Sequence, residues 1–366
     1  MNSSEIRIGI NGFGRIGRLV CRHVLELRKS GVAIRVVAIN DLSPPDYLAY
    51  QFSHDTVHGR FGERIESDSD ANTLTIDGLK IRTTSCRDPV DINWKDCGAD
   101  YICESTGFFT SREGARKHLE GGAKKVIISA PPKSGGRVGQ GQEEEIPMYV
   151  MGVNHHQYQG ETIVSNASCT TNCLAPLAEI LHRRFGIEMG LMTTVHAMTA
   201  NQLTVDGSAR GGKDWRAGRA ASGNIIPAST GAAKAVGKVV PELDGRLTGM
   251  AFRVPTLDVS VVDLTCVLNQ KLKLGDKEEK HRVQLCEVIE AIQEESESDR
   301  YRGIVGITSA PEVSSDFTGD TRSCILDTGA CLELEDHRMM KLVAWYDNEW
   351  GYSRRLVELI RVISVF

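Results

Sequence analysis

The sequence predicts an α/β protein in two parts: a doubly wound, mainly parallel sheet, then an α+β domain with a mainly antiparallel sheet. Three observations predict it. At 366 residues the chain exceeds one typical domain. Near the N-terminus an apolar run, a glycine-rich turn, an amphipathic helix and a second apolar run follow in βαβ order. Beyond Gly186, alternating segments such as LDVSVVDLTCVL and KLVAWY read as longer strands over one apolar face. The composition is that of a globular protein, with 41% hydrophobic residues, 25% charged residues and a net charge of −5. That balance supplies no basic footprint for nucleic acid as a primary partner. No apolar run approaches the ~20 residues that span a bilayer. MNSSE enters IRIGIN without an apolar signal core, and the terminal SVF is not a peroxisomal address. The ten cysteines make no zinc-like pair of CxxC pairs, so a reduced, cytoplasmic protein without a metal is expected.

IRIGIN reads as the first strand, and Gly12, Gly14 and Gly17 form G-x-G-x-x-G directly after it. Ile16, Leu19, Val20, His23, Val24 and Leu27 then trace one helix stripe. The first glycine permits the tight turn and the second lets a pyrophosphate approach the backbone. The third lets helix and strand pack closely, with the helix N-terminus facing the phosphates. A second strand, AIRVVAIN, ends on Asp41, whose carboxylate is placed to accept adenosine ribose hydroxyls. Strand, turn, helix, strand and acid together indicate a Rossmann dinucleotide-binding unit. LTIDGLKIRTT reads as a hairpin turning at Asp77–Gly78. YICESTG ends a strand on Ser105, Thr106 and Gly107, small residues suited to line a nucleotide crevice. A helix in EGARKHLEGG and a strand in KVIISAP follow. PPKSGGRVGQGQEEEIP has no periodicity and reads as a surface loop.

SNASCTTNC opens the second half on chemistry. Leu174, Leu177, Ala178, Leu181 and Phe185 keep helical spacing, Ser168 suits the N-cap, Gly186 suits the stop, and Pro176 should kink the helix. Cys169 then falls in the first turn, where free N–H groups and the helix dipole favour a thiolate. The other reading of Cys169 is a small buried residue, and this stretch alone does not choose. LMTTVHAMTAN is a strand delivering His196 near its end. Residues 203–229 read as a long segment with little regular structure. Thr230 and Gly231 precede a helix whose N-terminus is a second anion site. FRVPT presents Arg253, HRVQLCEVIEAIQEE is a helix, and the chain closes with a strand, a turn at Asn348 and a helix burying Leu356, Leu359, Ile360 and Ile363. A thiolate, an imidazole, two anion sites and a nicotinamide cofactor suit aldehyde oxidation through a thioester.

NGFGRIGR, SNASCTTNC, NIIPASTGAAKAVGKV, GMAFRVPT and WYDNEWGYS together resemble the phosphorylating glyceraldehyde-3-phosphate dehydrogenase family, from near the first residue to the last. The resemblance implies an NAD-binding Rossmann domain over 1–167, a catalytic domain over 168–347 and a C-terminal helix, 348–366, returning to the first domain. It implies a cytoplasmic homotetramer that oxidises and phosphorylates glyceraldehyde 3-phosphate to 1,3-bisphosphoglycerate in glycolysis, with NAD and inorganic phosphate. By resemblance Cys169 is the nucleophile and His196 the group that raises its thiolate fraction and takes the proton. Thr199 and Arg253 match the substrate-phosphate site. Ser168, Cys169, Thr170, Thr230 and Gly231 match the attacking-phosphate side. Arg15 and Ile16 match the pyrophosphate turn formed with Gly12, Gly14 and Gly17. Asp41 matches the adenosine ribose ligand, and Arg87, Ser129 and Asn348 match adenine-side and nicotinamide contacts, beside Thr106 and Gly107 in the crevice.

Two stretches depart from the family pattern: the glycine-rich segment near 133–146 is longer, and TVDGSARGGKDWRAGR carries Ser208 where many NAD-dependent members have proline. Ser208 resembles members that tolerate NADP, whereas Asp41 favours NAD. Within the family the alternative is erythrose-4-phosphate dehydrogenase. Outside it, the alternative is a secondary RNA- or protein-binding role through the nucleotide groove.

Overall fold

The computed structural model describes residues 5–133, 145–209, 214–269, 271–274, 277–280 and 282–366. Most of the loop expected at PPKSGGRVGQGQEEEIP lies outside them, as does part of the departing loop around Ser208. The chain forms two compact units. One comprises Met1–Tyr149, His155–Ser168 and Ser353–Phe366, and the other Val150–Asn154 and Cys169–Tyr352. The second unit thus includes a five-residue excursion, Val150–Asn154, that the expected 1–167 boundary places in the first domain.

In the first unit, β1 (Ile6–Asn11) turns into α1 (Arg15–Lys29) and β2 (Ile34–Asn40). There follow α2 (Pro45–Ser53), β3 (Ile65–Asp68), β4 (Thr73–Ile76), β5 (Leu79–Thr84), α3 (Trp94–Cys97) and β6 (Tyr101–Glu104). Then come α4 (Arg112–Glu120), β7 (Lys125–Ile128) and β8 (Ile163–Ser165). The sheet runs β3-β4-β5-β2-β1-β6-β7-β8, parallel from β5 to β8. Consecutive residues of β1, β2, β6 and β7 are buried, the pattern of strands covered on both faces. The strand order reverses at β1, which has β2 on one side and β6 on the other. The carboxyl ends of β1 and β6 therefore diverge into a crevice. Asp77 and Gly78, with φ of 51° and 76°, make the two-residue turn between β4 and β5. Gly12 has φ of 88°, and a Cβ on Gly17 would lie 2.1 Å from Gly12 O, so both positions require glycine.

The second unit begins with α5 (Cys169–Phe185) and continues through β9 (Ile187–Ala197), β10 (Ile226–Ser229), α6 (Ala232–Val239), β11 (Leu247–Val254) and β12 (Ser260–Leu268). β13 (Lys271–Leu274) pairs with β14 (Lys277–Lys280), and α7 (Leu285–Glu297) follows. β15 (Val305–Thr308), β16 (Cys324–Asp327), β17 (Leu332–Glu333) and β18 (Met339–Tyr346) complete it. The main sheet runs β10-β11-β9-β12-β18-β16-β15, with β17 beside β18. Among the described residues its pairs are antiparallel except β11 with β9 and β15 with β16. Leu174, Leu177, Ala178 and Leu181 are fully buried where α5 packs on β9, β12, β16 and β18. The helix continues through Pro176 and stops at Gly186, whose φ of 76° turns its N–H back onto Leu181 O and His182 O. Among its described residues the segment 203–229 carries two short 3₁₀ turns and β10, close to the irregular course expected of it.

α8 (Trp350–Ser364) buries Leu356, Leu359, Ile360 and Ile363, and from Ser353 onward it belongs to the first unit. Among the described residues no helix is long and apolar enough to cross a membrane. All ten cysteines are free thiols.

Candidate active site

Each unit holds one group of the expected site residues. In the first, a groove of about 620 Å³ opens at the carboxyl ends of β1, β2 and β6, within the roughly 300–1,000 Å³ of small-molecule sites. Of the expected cofactor residues, Gly12, Gly14, Asp41, Arg87 and Thr106 line it. The fit to a dinucleotide is physical. A Cβ on Gly14 would meet nothing within 4 Å, so the backbone there stands open to a diphosphate. α1 starts without a side-chain cap and without an acidic residue in its first turn, so no carboxylate of its own opposes an anion at that end. Asp41 is fixed by Phe13 N–H on Oδ2 at 2.9 Å and Ser43 N–H on Oδ1 at 3.0 Å. Each oxygen keeps a lone pair for a ribose hydroxyl.

Other expected cofactor residues fall elsewhere. Arg15 belongs to the turn by position, but its guanidinium pairs with Asp55 at 2.5 Å. Ile16, Gly17, Gly107 and Ser129 do not line the groove, and Ser129 N–H is engaged by Glu104 O. Gly17 acts through packing, as its close approach to Gly12 O requires. Asn348 lies in the second unit, where its Oδ1 accepts from Ser260 Oγ at 2.6 Å. Sequence reasoning missed Asn11, Asn40 and Cys86 in the groove wall. Asn11 and Asn40 end β1 and β2, and a polar residue closing an apolar strand was the signal available.

In the second unit, α5 starts at Cys169, after the chain has passed through Ala167 with φ of 55°. Cys169 Sγ lies 3.5 Å from His196 Nε2. β9 carries His196 at its end, and the parallel register of β11 on β9 sets Arg253 directly opposite His196. Arg253 Nη1 consequently lies 2.7 Å from His196 Nδ1 and donates to Ala197 O at 3.1 Å. The same Nδ1 is 2.8 Å from Ala197 O. These partners make opposite demands. A guanidinium only donates, so it needs a lone pair on Nδ1, whereas the carbonyl needs an N–H there.

Tyr346 supports the pair from β18. Its hydroxyl bonds the hydroxyls of Thr170 and Thr194, both at 2.9 Å, and its ring meets the imidazole edge-on. Thr170 is therefore buried and engaged at its side chain. Thr230 Oγ1 accepts from Ala232 N–H at 3.2 Å at the start of α6, with Gly231 as N-cap. Thr171 Oγ1 donates to Ala232 O at 3.5 Å, tying the first turns of α5 and α6 together. Thr199 caps a local turn through Asn201 and Gln202. Ser168 is the last residue of the first unit before α5. Tyr346 stands within the WYDNEWGYS stretch, but its alternating strand pattern marks it only as a core residue.

Electrostatics correct one expectation. The helix start predicts a lowered thiol at Cys169, yet desolvation of the sulfur pushes it above its ordinary value. The charge of Arg253 and hydrogen bonds at Thr170 oppose that without overcoming it. Burial, joined by the positive charge of Arg253, pushes His196 down to about 3, against the bond to Ala197 O. Thiol and neutral imidazole are the resting forms of this pair.

Comparison with known proteins bears directly on these two sites. Residues 6–112 match the model of the glyceraldehyde 3-phosphate dehydrogenase NAD-binding domain, and residues 168–348 match that of the C-terminal domain. The chain belongs to the glyceraldehyde-3-phosphate dehydrogenase family. It is 53% identical over 360 residues to the cytosolic enzyme of Craterostigma plantagineum, covering 98% of each chain. Identity is 52% over 356 residues with glyceraldehyde-3-phosphate dehydrogenase 1 of Schizosaccharomyces pombe, covering 97% of this chain and 96% of that one. It is 51% over 359 residues with the Bacteroides fragilis protein, covering 98% and 99%. All three are named for glyceraldehyde 3-phosphate, so the erythrose 4-phosphate alternative is not favoured. NAD is the cofactor that the family's N-terminal domain binds, and the groove at Gly14 and Asp41 fits it.

The depressed imidazole has a consequence for stability. In the unfolded chain His196 titrates near its ordinary 6.5, and in the folded chain near about 3. Between those values the unfolded state binds a proton that the folded state refuses. The contribution is complete above about pH 6.5 and is lost as pH falls toward 3. His196→Gln should flatten the fall of the urea midpoint between about pH 6.5 and about pH 4. An unchanged slope would mean that the folded imidazole takes the proton freely.

Proposed function

We propose that Cys169 is the nucleophile with which this chain oxidises D-glyceraldehyde 3-phosphate, with NAD and inorganic phosphate, to 1,3-bisphosphoglycerate. The observation that carries the reading is Cys169 Sγ at the first position of α5, 3.5 Å from His196 Nε2. His196 Nε2 accepts the thiol proton as sulfur bonds the aldehyde carbon, and returns it to the resulting oxyanion, giving a hemithioacetal. The N–H of Cys169, at the start of α5, and the imidazole once protonated are the donors this reading assigns to that oxygen. NAD, when bound, supplies the hydride acceptor for this carbon. His196 takes the hydroxyl proton as the carbon is oxidised to a thioester. Phosphate oxygen then bonds the acyl carbon, the C–S bond breaks, and Cys169 leaves as thiolate.

Arg253 has a double part in this scheme. For His196 to accept at Nε2, its Nδ1 must carry the proton and donate to Ala197 O. The guanidinium on Nδ1 opposes that tautomer. A substrate phosphate engaging Arg253 draws the guanidinium away and leaves Nδ1 to the carbonyl. Thr199 stands with Arg253 on the substrate side in this reading, and Ser168, Thr170, Thr230 and Gly231 with the attacking phosphate. A cytoplasmic homotetramer is part of the same proposal. Plant relatives are named cytosolic. Met189 and Leu191 on β9, Met250 on β11 and Trp215, 85% exposed, leave apolar surface that a second copy would cover.

The test is NADH formation from glyceraldehyde 3-phosphate, with and without inorganic phosphate. Cys169→Ser should abolish it while NAD binding persists, because a serine hydroxyl supplies no comparable nucleophile near neutral pH. Cys173→Ser, one turn deeper and fully buried, should stay active. The reverse pattern would move the nucleophile to Cys173.

Arg253→Ala should raise KM for the phosphorylated aldehyde by roughly 10–100-fold, the equivalent of about 1.5–3 kcal/mol for a charge-assisted contact. Unphosphorylated glyceraldehyde should be affected far less. Equal losses for the two aldehydes would make Arg253 a purely structural residue.

Asp41 generates a further expectation. Its fixed carboxylate should repel the 2′-phosphate of NADP, and exposed Leu42 beside it offers no compensating charge. NAD should be preferred over NADP by at least about tenfold in kcat/KM, a gap of ~1.4 kcal/mol. Asp41→Ala should narrow the gap chiefly by improving NADP. Parity of the two cofactors in the unaltered protein would overturn this role of the carboxylate.

A further inference from the structure

Glu104 closes β6 with its carboxylate fully buried beneath the groove. A buried carboxylate survives only where donors satisfy it. Here four do. Oε2 accepts from Asn11 Nδ2 at 2.6 Å and from His118 Nε2 at 2.9 Å. Oε1 accepts from Thr106 N at 2.9 Å and from Thr106 Oγ1. His118, on α4, receives Trp94 Nε1–H on Nδ1 at 3.0 Å. An indole nitrogen only donates, so Nδ1 must accept and the ring proton sits on Nε2, facing Glu104.

The other arm has the same polarity. Asn11 gives its amide N–H to Glu104 and receives Asn40 Nδ2 on Oδ1 at 2.8 Å. Asn40 Oδ1 in turn accepts Thr84 Oγ1 at 2.8 Å and Cys86 N at 2.9 Å. Asn11 Nδ2, His118 Nε2–H and Thr106 N–H only donate, so each needs a lone pair on Glu104, and the Thr106 hydroxyl adds a fourth contact. Asn11, Asn40, Cys86 and Thr106 also line the groove.

We infer that Glu104, with its proton-bearing partner His118, is the positioning residue of the cofactor groove, fixing the ends of β1 and β6 through Asn11 and Thr106. Neither side chain lines the groove, so both act through residues that do. The inference rests on the groove being the NAD site. Glu104→Gln keeps the shape but places an NH2 against an N–H donor on one side. Pairing then fails either at Asn11 and His118 or at Thr106.

The test is the Kd of NAD on the full chain, read by calorimetry, beside steady-state kinetics. Glu104→Gln should raise Kd and KM for NAD by at least about tenfold. Turnover at saturating NAD, KM for the aldehyde and iodoacetamide alkylation of Cys169 without NAD should stay within about twofold, since those belong to the second unit. His118→Gln, which retains one acceptor and one donor, should bind NAD within about threefold of the unaltered chain, whereas His118→Leu should lose at least about tenfold. An unchanged Kd in folded Glu104→Gln overturns the inference. So does a rise in Kd accompanied by altered Cys169 alkylation and lowered thermal stability, because Glu104 would then be merely structural. If Glu104→Gln does not fold, equal Kd values for the two His118 variants overturn it instead. Failure of the unaltered chain to bind NAD would refute the groove reading itself, and tight NAD binding without aldehyde oxidation would refute only the proposed reaction.

Discussion

One ring nitrogen sets the hydrogen bonding of the Cys169–His196 pair. His196 Nδ1 has room for a carbonyl or a guanidinium as its true partner, and both stand within 2.8 Å. With the carbonyl as partner, the imidazole presents a lone pair to Cys169. With the guanidinium, it presents an N–H and cannot relieve the thiol of its proton. Burial alone would merely keep the ring neutral. The competition at Nδ1 decides which neutral tautomer exists, and therefore whether the cysteine has a base. An anionic group that engages Arg253 bears on that choice without touching sulfur or imidazole.

The contact is a product of sheet register rather than of local sequence. β9 and β11 run parallel, and their pairing sets Arg253 opposite His196 and Val254 opposite Ala197. A slip of one residue would point the guanidinium to the other face. That register is held by antiparallel β12 on the far side of β9, whose buried alternate residues pack under α5. The helix that carries Cys169 and the strand that carries His196 thus share one packing surface. Rigidity of the pair comes from there, with Tyr346 filling the space between two threonine hydroxyls.

Much of this was legible in the sequence where the cause is local. Gly12, Gly17 and the Asp77–Gly78 turn answer to backbone angles or close approach, which a few adjacent residues determine. The stripe of α5 and its stop at Gly186 were legible for the same reason. Long motifs then made the family recognisable. What was not legible depends on partners distant in the chain. Arg15 turns to Asp55, forty residues on, and Trp94, His118 and Glu104 meet only once α3, α4 and β6 are packed. The state of Cys169 was misjudged because helix position is local, whereas the desolvation that outweighs it comes from the whole surround.

The last turns of α8 carry a further meaning. The first unit is assembled from three stretches, and one of them is Ser353–Phe366. On a ribosome that makes chain from the N-terminus, the unit that begins first acquires its final segment last. Its core stays incomplete while the whole of the second unit emerges, and contacts of very high sequence separation close it. A stop codon or frameshift just before Ser353 would therefore injure the N-terminal nucleotide fold, and leave the cysteine-bearing unit with nearly all of its own residues.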